Sequence, residues 1–333
     1  MKQHPDEGEL EPGTKEQTFP VKLLADLVYA APNGRPQLLD LYLPQGVGRP
    51  LPVILWLHGG GWRLGNRKLS PDLSRYFAQH GFAMVSIDYR LSGEAIFPAQ
   101  IRDVKTAIRW VRTYSDRYGL DGQHIGLLGS SAGGHLAALA AMTGSDTFED
   151  GPIEYAGQSC EVQAVVDGYG PMDFLQIDAH RDPLGTPSDD PESLQLPPPQ
   201  PSSAPNSFEA LLLGAPIETR PDLVRQANPI TYVKAGMPPF LILHGLSDIH
   251  VPAHQSVLLY EALAAAGNDV TLCLIKGLGH GFLNRNDFDK GPPRPVTVRS
   301  TRNGGPEQVK NGPPVTFETI EAFFREHLYG QAS

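Results

Sequence analysis

The chain has 333 residues, of which 40% are apolar, and it carries 37 acidic against 27 basic side chains, a formal net charge of −10. This apolar content is enough for a large globular core. The negative charge argues against a nucleic-acid or anionic-membrane partner, since like charges would repel. The two cysteines, Cys160 and Cys273, have no ligand-like spacing, so we expect neither a disulfide framework nor a structural metal.

The N-terminal tail, residues 1–19, is polar and acidic and contains no apolar segment of the kind found in signal peptides. No run elsewhere reaches the roughly 18 apolar residues that a membrane-spanning helix needs. We therefore expect no membrane partner and a cytoplasmic protein, or a secreted one whose signal peptide has been removed. A homo-oligomer is compatible with this composition.

Short apolar segments alternate with segments of helical length along most of the chain. The predicted strands, in chain order, are LADLVYA, LLDLYLP, PVILWLH, AMVSIDY, IGLLG, QAVVDGYG, PFLILHG and VTLCLIK. The predicted helices lie near 71–80, 98–118, 132–143, 253–266 and 316–328. This alternation predicts an α/β fold with a mostly parallel central sheet and helices on both faces, and the turn PNGRP predicts an antiparallel N-terminal edge.

Two segments interrupt the pattern within a single predicted domain, residues 20–333. Between 191 and 205 six of fifteen residues are proline, so this part of an insertion near 176–206 is expected to run over the surface without helix or strand. The stretch 284–314 is polar, basic and rich in glycine and proline. We interpret it as a long, mobile loop before the last helix.

A cluster of small residues joins a predicted strand to a predicted helix at GSSAG, residues 129–133. It matches the pattern G-x-S-x-G of the nucleophile elbow, in which small neighbours allow a sharp turn that exposes the serine hydroxyl. Ser131 is the central serine and Ser130 the variable residue. The pattern predicts Ser131 as a nucleophile at the start of a helix, whose N–H groups favour developing negative charge.

A glycine-rich turn, HGGGW, follows the strand PVILWL earlier in the chain. Such a turn is often only flexible, but after this strand it also suits an oxyanion hole, where unhindered N–H groups reach a tetrahedral intermediate. We expect Gly60 and Gly61 to donate, together with the N–H of Ala132. Trp62, beside the turn, is a candidate substrate-binding residue.

A nucleophilic serine needs a base and an acid that orients the base. His280, in GLGHGF, follows a late strand, and Asp248, in HGLSDIHVP, follows the strand before it. The order Ser131, Asp248, His280 is the order of an α/β-hydrolase triad. Asp173 is a weaker candidate for the acid.

The remaining histidines close to these motifs are interpreted less specifically. We expect structural roles for His58 in the glycine turn, for His135 beneath the elbow, for a buried His244, and for Asp88 and Arg90 as an ion pair. His250 and His254 flank the Asp248 loop and are interpreted as surface residues that could touch a substrate.

These segments together resemble bacterial hormone-sensitive-lipase-like and feruloyl/acetyl-esterase-like carboxylesterases of the α/β-hydrolase superfamily. The resemblance covers about residues 20–283 and is carried by LDLYLP, HGGGW, DYRLS, GSSAGGHLAAL, NPITYV, HGLSDIHVP and GLGHGF. It implies the same triad and the same oxyanion donors. Two features depart from the pattern: Ser130 stands where many relatives have Asp, and the two insertions have no obvious counterpart.

The sequence therefore predicts a serine carboxylesterase that acts on a small-molecule ester through an acyl-enzyme, with no metal and no cofactor. Loops after the carboxyl ends of the strands surround the site in this fold, so we expect the proline-rich segment to confine the pocket to short or aromatic acyl groups. Two alternatives stay open. One is an arylformamidase or peptidase that cleaves amides, and the other is a non-catalytic, hydrolase-like ligand-binding protein.

Overall fold

The structure is a computed structural model that describes residues 18–144, 147–148, 154–181 and 198–329. Its strands are β1 Val21–Ala30, β2 Gln37–Pro44, β3 Leu51–Leu57, β4 Ala83–Ile87, β5 Leu120–Ser130, β6 Ala164–Gly168, β7 Phe240–Gly245, β8 Val270–Ile275, β9 Val296–Thr301 and β10 Gln308–Gly312. Its helices are α1 Leu73–Tyr76, α2 Ala99–Thr113, α3 Ser115–Tyr118, α4 Ala132–Thr143, α5 Phe208–Leu213, α6 Pro221–Ala227, α7 His254–Ala265 and α8 Phe317–Leu328.

All these strands belong to one sheet, in the order β1-β2-β4-β3-β5-β6-β7-β8-β9-β10. The six strands from β4 to β8 in that order pair in parallel with one another, whereas every pairing that involves β1, β2, β9 or β10 is antiparallel. The predicted parallel sheet and the antiparallel N-terminal edge are both confirmed.

The sheet is covered on both faces, which explains why its central strands are apolar throughout. Every residue of β3 is buried, as expected for a strand between two helical layers. On one face the core contains apolar side chains of α2, α4 and α7, and on the other it contains those of α1 and α8. The predicted helices on both faces are therefore confirmed, and the shorter α5 and α6 were not predicted.

The interpretation of 284–314 as a long, mobile loop is wrong. Residues 296–301 and 308–312 form β9 and β10, a hairpin that extends the sheet beyond β8. Val296 and Val298 are buried while Arg299 is partly exposed, so β9 has one face toward the core and one toward solvent. The alternation of buried and partly exposed residues in β9 is short, and the glycines and prolines around it made the segment look like a loop.

The predicted ion pair between Asp88 and Arg90 is also wrong, since each side chain has a different partner. Arg90 donates to Asp103 over 2.6 Å, and Asp88 accepts from the Arg67 guanidinium over 2.6 Å. Arg67 also contacts Asp26 and Asp40. This cluster ties the segment after the glycine turn to the antiparallel edge of the sheet.

Parts of two predicted regions fall outside the described residues, namely 1–17 of the N-terminal tail and 191–197 of the proline-rich segment. From 198 to 207 the chain makes turns without helix or strand, as its prolines suggest. Within the part of the chain that the structure describes, no helix combines the length and the apolar character needed to cross a bilayer.

Candidate active site

Ser131 lies in a sharp turn between β5 and α4, with φ 55° and ψ −120°. A positive φ is costly for a residue with a side chain, and the surroundings must hold it. The Ser131 N–H donates to the Gly168 carbonyl over 2.7 Å. A Cβ at Gly129 would lie 2.2 Å from the Gly133 oxygen, and a Cβ at Gly133 would lie 1.9 Å from the Leu57 oxygen. Close packing therefore requires both glycines of the motif.

His280 connects Ser131 to Asp248 through two hydrogen bonds. The Asp248 carboxylate accepts from His280 Nδ1 over 2.7 Å, and His280 Nε2 lies 2.8 Å from Ser131 Oγ. Because an ionised carboxylate can only accept, the proton of the ring is on Nδ1 and Nε2 is left to accept from the serine hydroxyl. The three residues that the sequence predicted as a triad are thus brought together in the predicted order.

The Asp248 carboxylate is fully buried and firmly held. Its second oxygen accepts the N–H groups of His250 and Val251 over 2.9 and 3.0 Å. Burial alone would raise the pKa of Asp248, but His280 and His244 outweigh burial and lower that pKa below its ordinary value. The carboxylate therefore stays ionised and can stabilise a positive charge on His280.

Two adjacent loops bring Asp248 and His280 into contact. The N–H of Leu246, just after β7, donates to the Ile275 carbonyl, and the N–H of Ser247 donates to the Leu278 carbonyl over 2.9 Å. A Cβ at Gly245 would lie 2.3 Å from the same Leu278 oxygen. The loops after β7 and β8 therefore run in contact, at the carboxyl edge of the sheet where parallel strands gather functional groups.

The glycine turn packs directly against the elbow. A Cβ at Gly59 would lie 3.0 Å from the Ser130 oxygen and 3.3 Å from Ser131 Cβ. The Gly60 carbonyl accepts the N–H groups at 63 and 64, which closes the turn. Among the described residues, the N–H groups of Gly60 and Gly61 have no hydrogen-bond acceptor. That these two groups, together with the N–H of Ala132 at the start of α4, bind the oxyanion stays a prediction.

Trp62 does not line an open pocket in this structure, because only 1% of its surface is exposed. Its indole N–H donates to His135 Nδ1 over 3.2 Å, and His135 Nε2 donates to the Ala227 carbonyl over 2.7 Å. Burial lowers the pKa of His135 to about 4, so the ring is neutral. His135 thus packs beneath the elbow as predicted, whereas contact between Trp62 and a substrate stays a prediction.

The other candidate side chains separate into structural groups and neighbours of the site. His58 is buried, stacks on Tyr89 at 4.3 Å between ring centroids, and has a pKa lowered by burial to about 4. His244 is buried and bonds to Ser256 and to the Val251 carbonyl. Asp173 accepts from Asn228 and Gln176 rather than contacting His280. These residues therefore support the loops around the site.

Both His250 and His254 are predicted to be surface residues of the Asp248 loop. The structure places His250 beside the predicted base, His280, and His254 against another histidine. The half-buried His250 ring lies 5.5 Å from the His280 ring, so it flanks the base. Burial, with His280 and Arg181 adding to it, lowers the pKa of His250 to about 4. The His254 ring instead packs on His180 at 3.6 Å between centroids.

Sequence reasoning missed three residues at the site. Tyr169 packs its ring 4.9 Å from that of His280, and Asn284 accepts a hydrogen bond from Ser130 Oγ over 2.9 Å. Phe208 lies against Gly61. Only Tyr169 had a signal, as a bulky residue between two glycines at the end of β6. Asn284 and Phe208 come from long connections whose paths the sequence does not reveal.

Comparisons with known proteins agree with this geometry. Residues 39–263, about two thirds of the chain, match the protein family BD-FAE. The chain is 34% identical over 250 residues to the esterase LipC of Mycobacterium tuberculosis, covering 74% of this chain and 57% of that protein. The chain spans about half the length of the curated relatives it matches, LipC, LipQ and LipM.

Two solved structures extend the likeness to the fold. A truncated carbohydrate esterase from gut microbiota superposes with a TM-score of 0.63 at 32% identity, covering 84% of this chain and 94% of that one. A thermophilic esterase of Thermogutta terrifontis, with butyrate bound, superposes with a TM-score of 0.60 at 27% identity, covering 80% and 86%. The elbow, the loops that follow β7 and β8, and the match over two thirds of the sequence have one explanation: the chain belongs to the BD-FAE family of α/β-hydrolases.

Proposed function

We propose that the protein is a serine carboxylesterase that hydrolyses short-chain or aromatic carboxylic esters through an acyl-enzyme. The observation that carries this proposal is the hydrogen-bonded series Asp248, His280 and Ser131, with the serine on a strained elbow. LipC and the two solved neighbours described above are named esterases, which supports the same reaction class.

In the first half-reaction Ser131 Oγ attacks the ester carbonyl carbon while His280 Nε2 takes the hydroxyl proton. A tetrahedral oxyanion forms, and the positive His280 ring is stabilised by the ionised Asp248. When the bond to the alcohol oxygen breaks, His280 returns its proton to that oxygen and the alcohol leaves. The acyl group remains on Ser131.

In the second half-reaction water takes the place of the alcohol. His280 removes a proton from the water as it attacks the acyl carbon, and the second tetrahedral intermediate collapses with the proton passing to Ser131 Oγ. The carboxylic acid leaves and the serine is restored. Atoms and charges balance without an electron acceptor or a metal in any step.

The oxyanion of both intermediates accepts hydrogen bonds from the N–H groups of Gly60, Gly61 and Ala132. Two of these groups have no acceptor among the described residues, so they need not break a bond in order to bind the oxyanion. Each such donor contributes on the order of 3 kcal/mol to stabilisation of the transition state. The glycine turn is therefore proposed to supply a large share of the rate enhancement.

A preference for small acyl groups is supported by two observations. The chain after the proline-rich segment reaches the glycine turn, where Phe208 packs on Gly61. A similar solved esterase has butyrate, a four-carbon acid, bound to it. Neighbours named as carbohydrate esterases make an acetylated sugar a natural choice among the esters to assay first.

The nucleophile is tested by comparing adjacent serines. Ser131→Ala should reduce hydrolysis of p-nitrophenyl acetate by at least about 10⁴-fold, since nucleophile and base act as a unit. Ser130→Ala, which removes only the bond to Asn284, should keep most of the activity. Both variants should unfold near the temperature of the parent protein.

Labelling with a fluorophosphonate adds a readout independent of turnover. Ser131 should be the modified residue, as read by peptide mass spectrometry, and Ser131→Ala should not be labelled. Loss of activity in Ser130→Ala alone, or labelling at another serine, would overturn the assignment. A parent protein that neither turns over esters nor reacts with the probe would support a ligand-binding role instead.

A further inference from the structure

Phe208 lies against the glycine turn although it follows Gly61 by almost 150 residues in the chain. Two carbons of its ring, Cγ and Cδ1, are 2.5 Å from the place that a Cβ at Gly61 would occupy. The ring therefore rests directly on the Gly61 backbone, and only glycine leaves room for it. At the same time 45% of the Phe208 surface is exposed, so part of the residue faces the space outside the turn.

The start of α5, which carries Phe208, is held in place by hydrogen bonds on its N-terminal side. Asp178 accepts the N–H groups of Ser202 and Ser203 over 2.7 and 3.0 Å, and Ser207 Oγ donates to the Ser202 carbonyl over 2.8 Å. Ser207 also caps the helix by accepting the Ala210 N–H. These bonds make Phe208 a fixed wall rather than a side chain on a free loop.

The far end of α5 is attached as well. The Phe97 N–H donates to the Leu212 carbonyl over 2.8 Å, and a Cβ at Gly214 would lie 3.1 Å from the Ile96 side chain. α5 is therefore anchored on both sides of Phe208. Packing rather than chain flexibility sets the distance between the ring and Gly61.

The reaction geometry indicates which part of the ester meets this wall. The alcohol oxygen must face His280, which protonates it, and the His280 ring packs against Tyr169 and His250. The acyl chain is the other substituent of the carbonyl carbon, so it points away from His280. Phe208 packs on the glycine turn that is proposed to receive the oxyanion, so an acyl chain directed away from His280 has Phe208 as its candidate neighbour.

We propose that Phe208 forms the wall of the acyl subsite and limits the length of the acyl chain that the enzyme accepts. This inference rests on the proposed esterase function and adds a residue and a subsite to it. The ring of Phe208 occupies the space next to Gly61, so its removal would leave room there for a longer acyl chain. The helix that follows the insertion thus contributes to acyl selection through one anchored aromatic side chain.

The test measures kcat/KM for p-nitrophenyl acetate, butyrate and octanoate with the parent protein and with Phe208→Ala. The parent should favour acetate and butyrate. In the variant the ratio of octanoate to acetate should rise by about tenfold or more, the size of effect that a change in pocket volume produces. Phe208→Leu, which keeps an apolar contact with Gly61, should show a smaller rise and serves if the alanine variant does not fold.

Leu23→Ala is the matched control, because Leu23 is also an apolar residue with nearly the same exposed fraction, 47%, but lies in β1 at the edge of the sheet. It should keep the parental ratio. A second series holds acetate constant and varies the alcohol among phenol, 4-nitrophenol and 2-naphthol, and Phe208→Ala should keep the parental order there.

The outcomes separate the inference from the function on which it rests. If the parent protein hydrolyses acetate and both Phe208 variants keep the parental ratio of octanoate to acetate, Phe208 does not limit the acyl chain. The esterase function would then still stand. A change confined to the alcohol series, or a parental optimum at octanoate, would also overturn the acyl assignment. Absence of hydrolysis in both the parent and Leu23→Ala would reject the esterase itself.

Discussion

Asp248 and Asp167 are buried carboxyl groups near the ends of adjacent strands, yet their surroundings move their pKa values in opposite directions. Asp248 is buried, but His280 and His244 outweigh burial and lower its pKa, and its second oxygen accepts two backbone N–H groups. Asp167 accepts one bond, from the Gly170 N–H, and its other oxygen has no partner among the described residues. Burial raises the pKa of Asp167 to about 7, with His244 and Gly170 only partly opposing it.

The raised pKa of Asp167 makes the stability of the fold depend on pH. Between the ordinary value of 3.8 and about 7 the folded state binds more protons than the unfolded state, so the stabilisation is complete below this window and is lost as pH rises through it. With about 1.4 kcal/mol for each unit of pKa difference, the loss is on the order of 4 kcal/mol.

Asp167→Asn should remove this dependence, because an amide keeps the acceptor for Gly170 and carries no charge. We expect the variant to gain stability relative to the parent protein between pH 4.5 and pH 8, as measured by urea unfolding at each pH. Other titrating groups contribute equally to both proteins and cancel in the difference. A difference that is the same at the two pH values would show that Asp167 does not ionise in this range.

At the scale of single residues, the sequence was sufficient wherever a chemical role required a residue type at a fixed position in the fold. Ser131, Asp248 and His280 follow strands whose carboxyl ends meet, and so their proximity could be predicted. Partners brought in by long connections could not be predicted. Phe208 reaches Gly61 and Arg67 reaches three aspartates through packing that depends on the whole chain.

Among the elements, the junction of β5 and α4 has the tightest packing. Gly133 lies in the first turn of α4, and an added Cβ would sit 1.9 Å from the Leu57 oxygen and 2.7 Å from the His58 oxygen. Both contacts are with backbone at the end of β3, which cannot move without displacing the glycine turn. The position of the helix relative to the turn that carries the proposed oxyanion donors is thus fixed by packing.

Gly133→Ala should therefore cost about 3 kcal/mol or more of folding free energy, at the upper end for overpacked sites. Gly93→Ala is the control, because a Cβ there would meet nothing within 4 Å, and surface changes of this kind usually stay within about 0.5 kcal/mol. Chemical unfolding of both variants measures the difference. Equal stabilities would mean that α4 can move away from β3 at little cost.

The elements themselves were predictable in proportion to their apolar character. The eight buried or half-buried strands stand out as apolar runs, and all are present. β9 and β10 lie at the edge of the sheet, where one face is solvated, and β10 has no buried residue. Their formation depends on pairing with β8 rather than on their own composition, and so glycine and proline dominated the interpretation of that region.

At the scale of the whole molecule, a continuous sheet is what the predicted single domain requires. Hydrogen bonds run without a break from β1 at one edge to β10 at the other. The two core layers are also extended. One joins side chains of β2, α2, α4 and α7, and the other joins those of β3, α1, β8 and α8. Neither layer is confined to one half of the chain, so opening either end of the sheet would expose core side chains from distant parts of the sequence.

We therefore expect the protein to unfold in a single cooperative transition, although chains of this size often do not. Far-ultraviolet circular dichroism reports the loss of helix and sheet, and fluorescence of the three buried tryptophans, Trp56, Trp62 and Trp110, reports the loss of the core. The two signals should give the same midpoint in guanidinium chloride, and the calorimetric enthalpy should equal the van't Hoff enthalpy.

The last strands provide the most sensitive check, because β9 and β10 attach through β8 alone within the described sheet. An earlier transition in circular dichroism, with fluorescence and Ser131 labelling unchanged, would mean that the hairpin unfolds separately and that the predicted single domain is wrong for this edge.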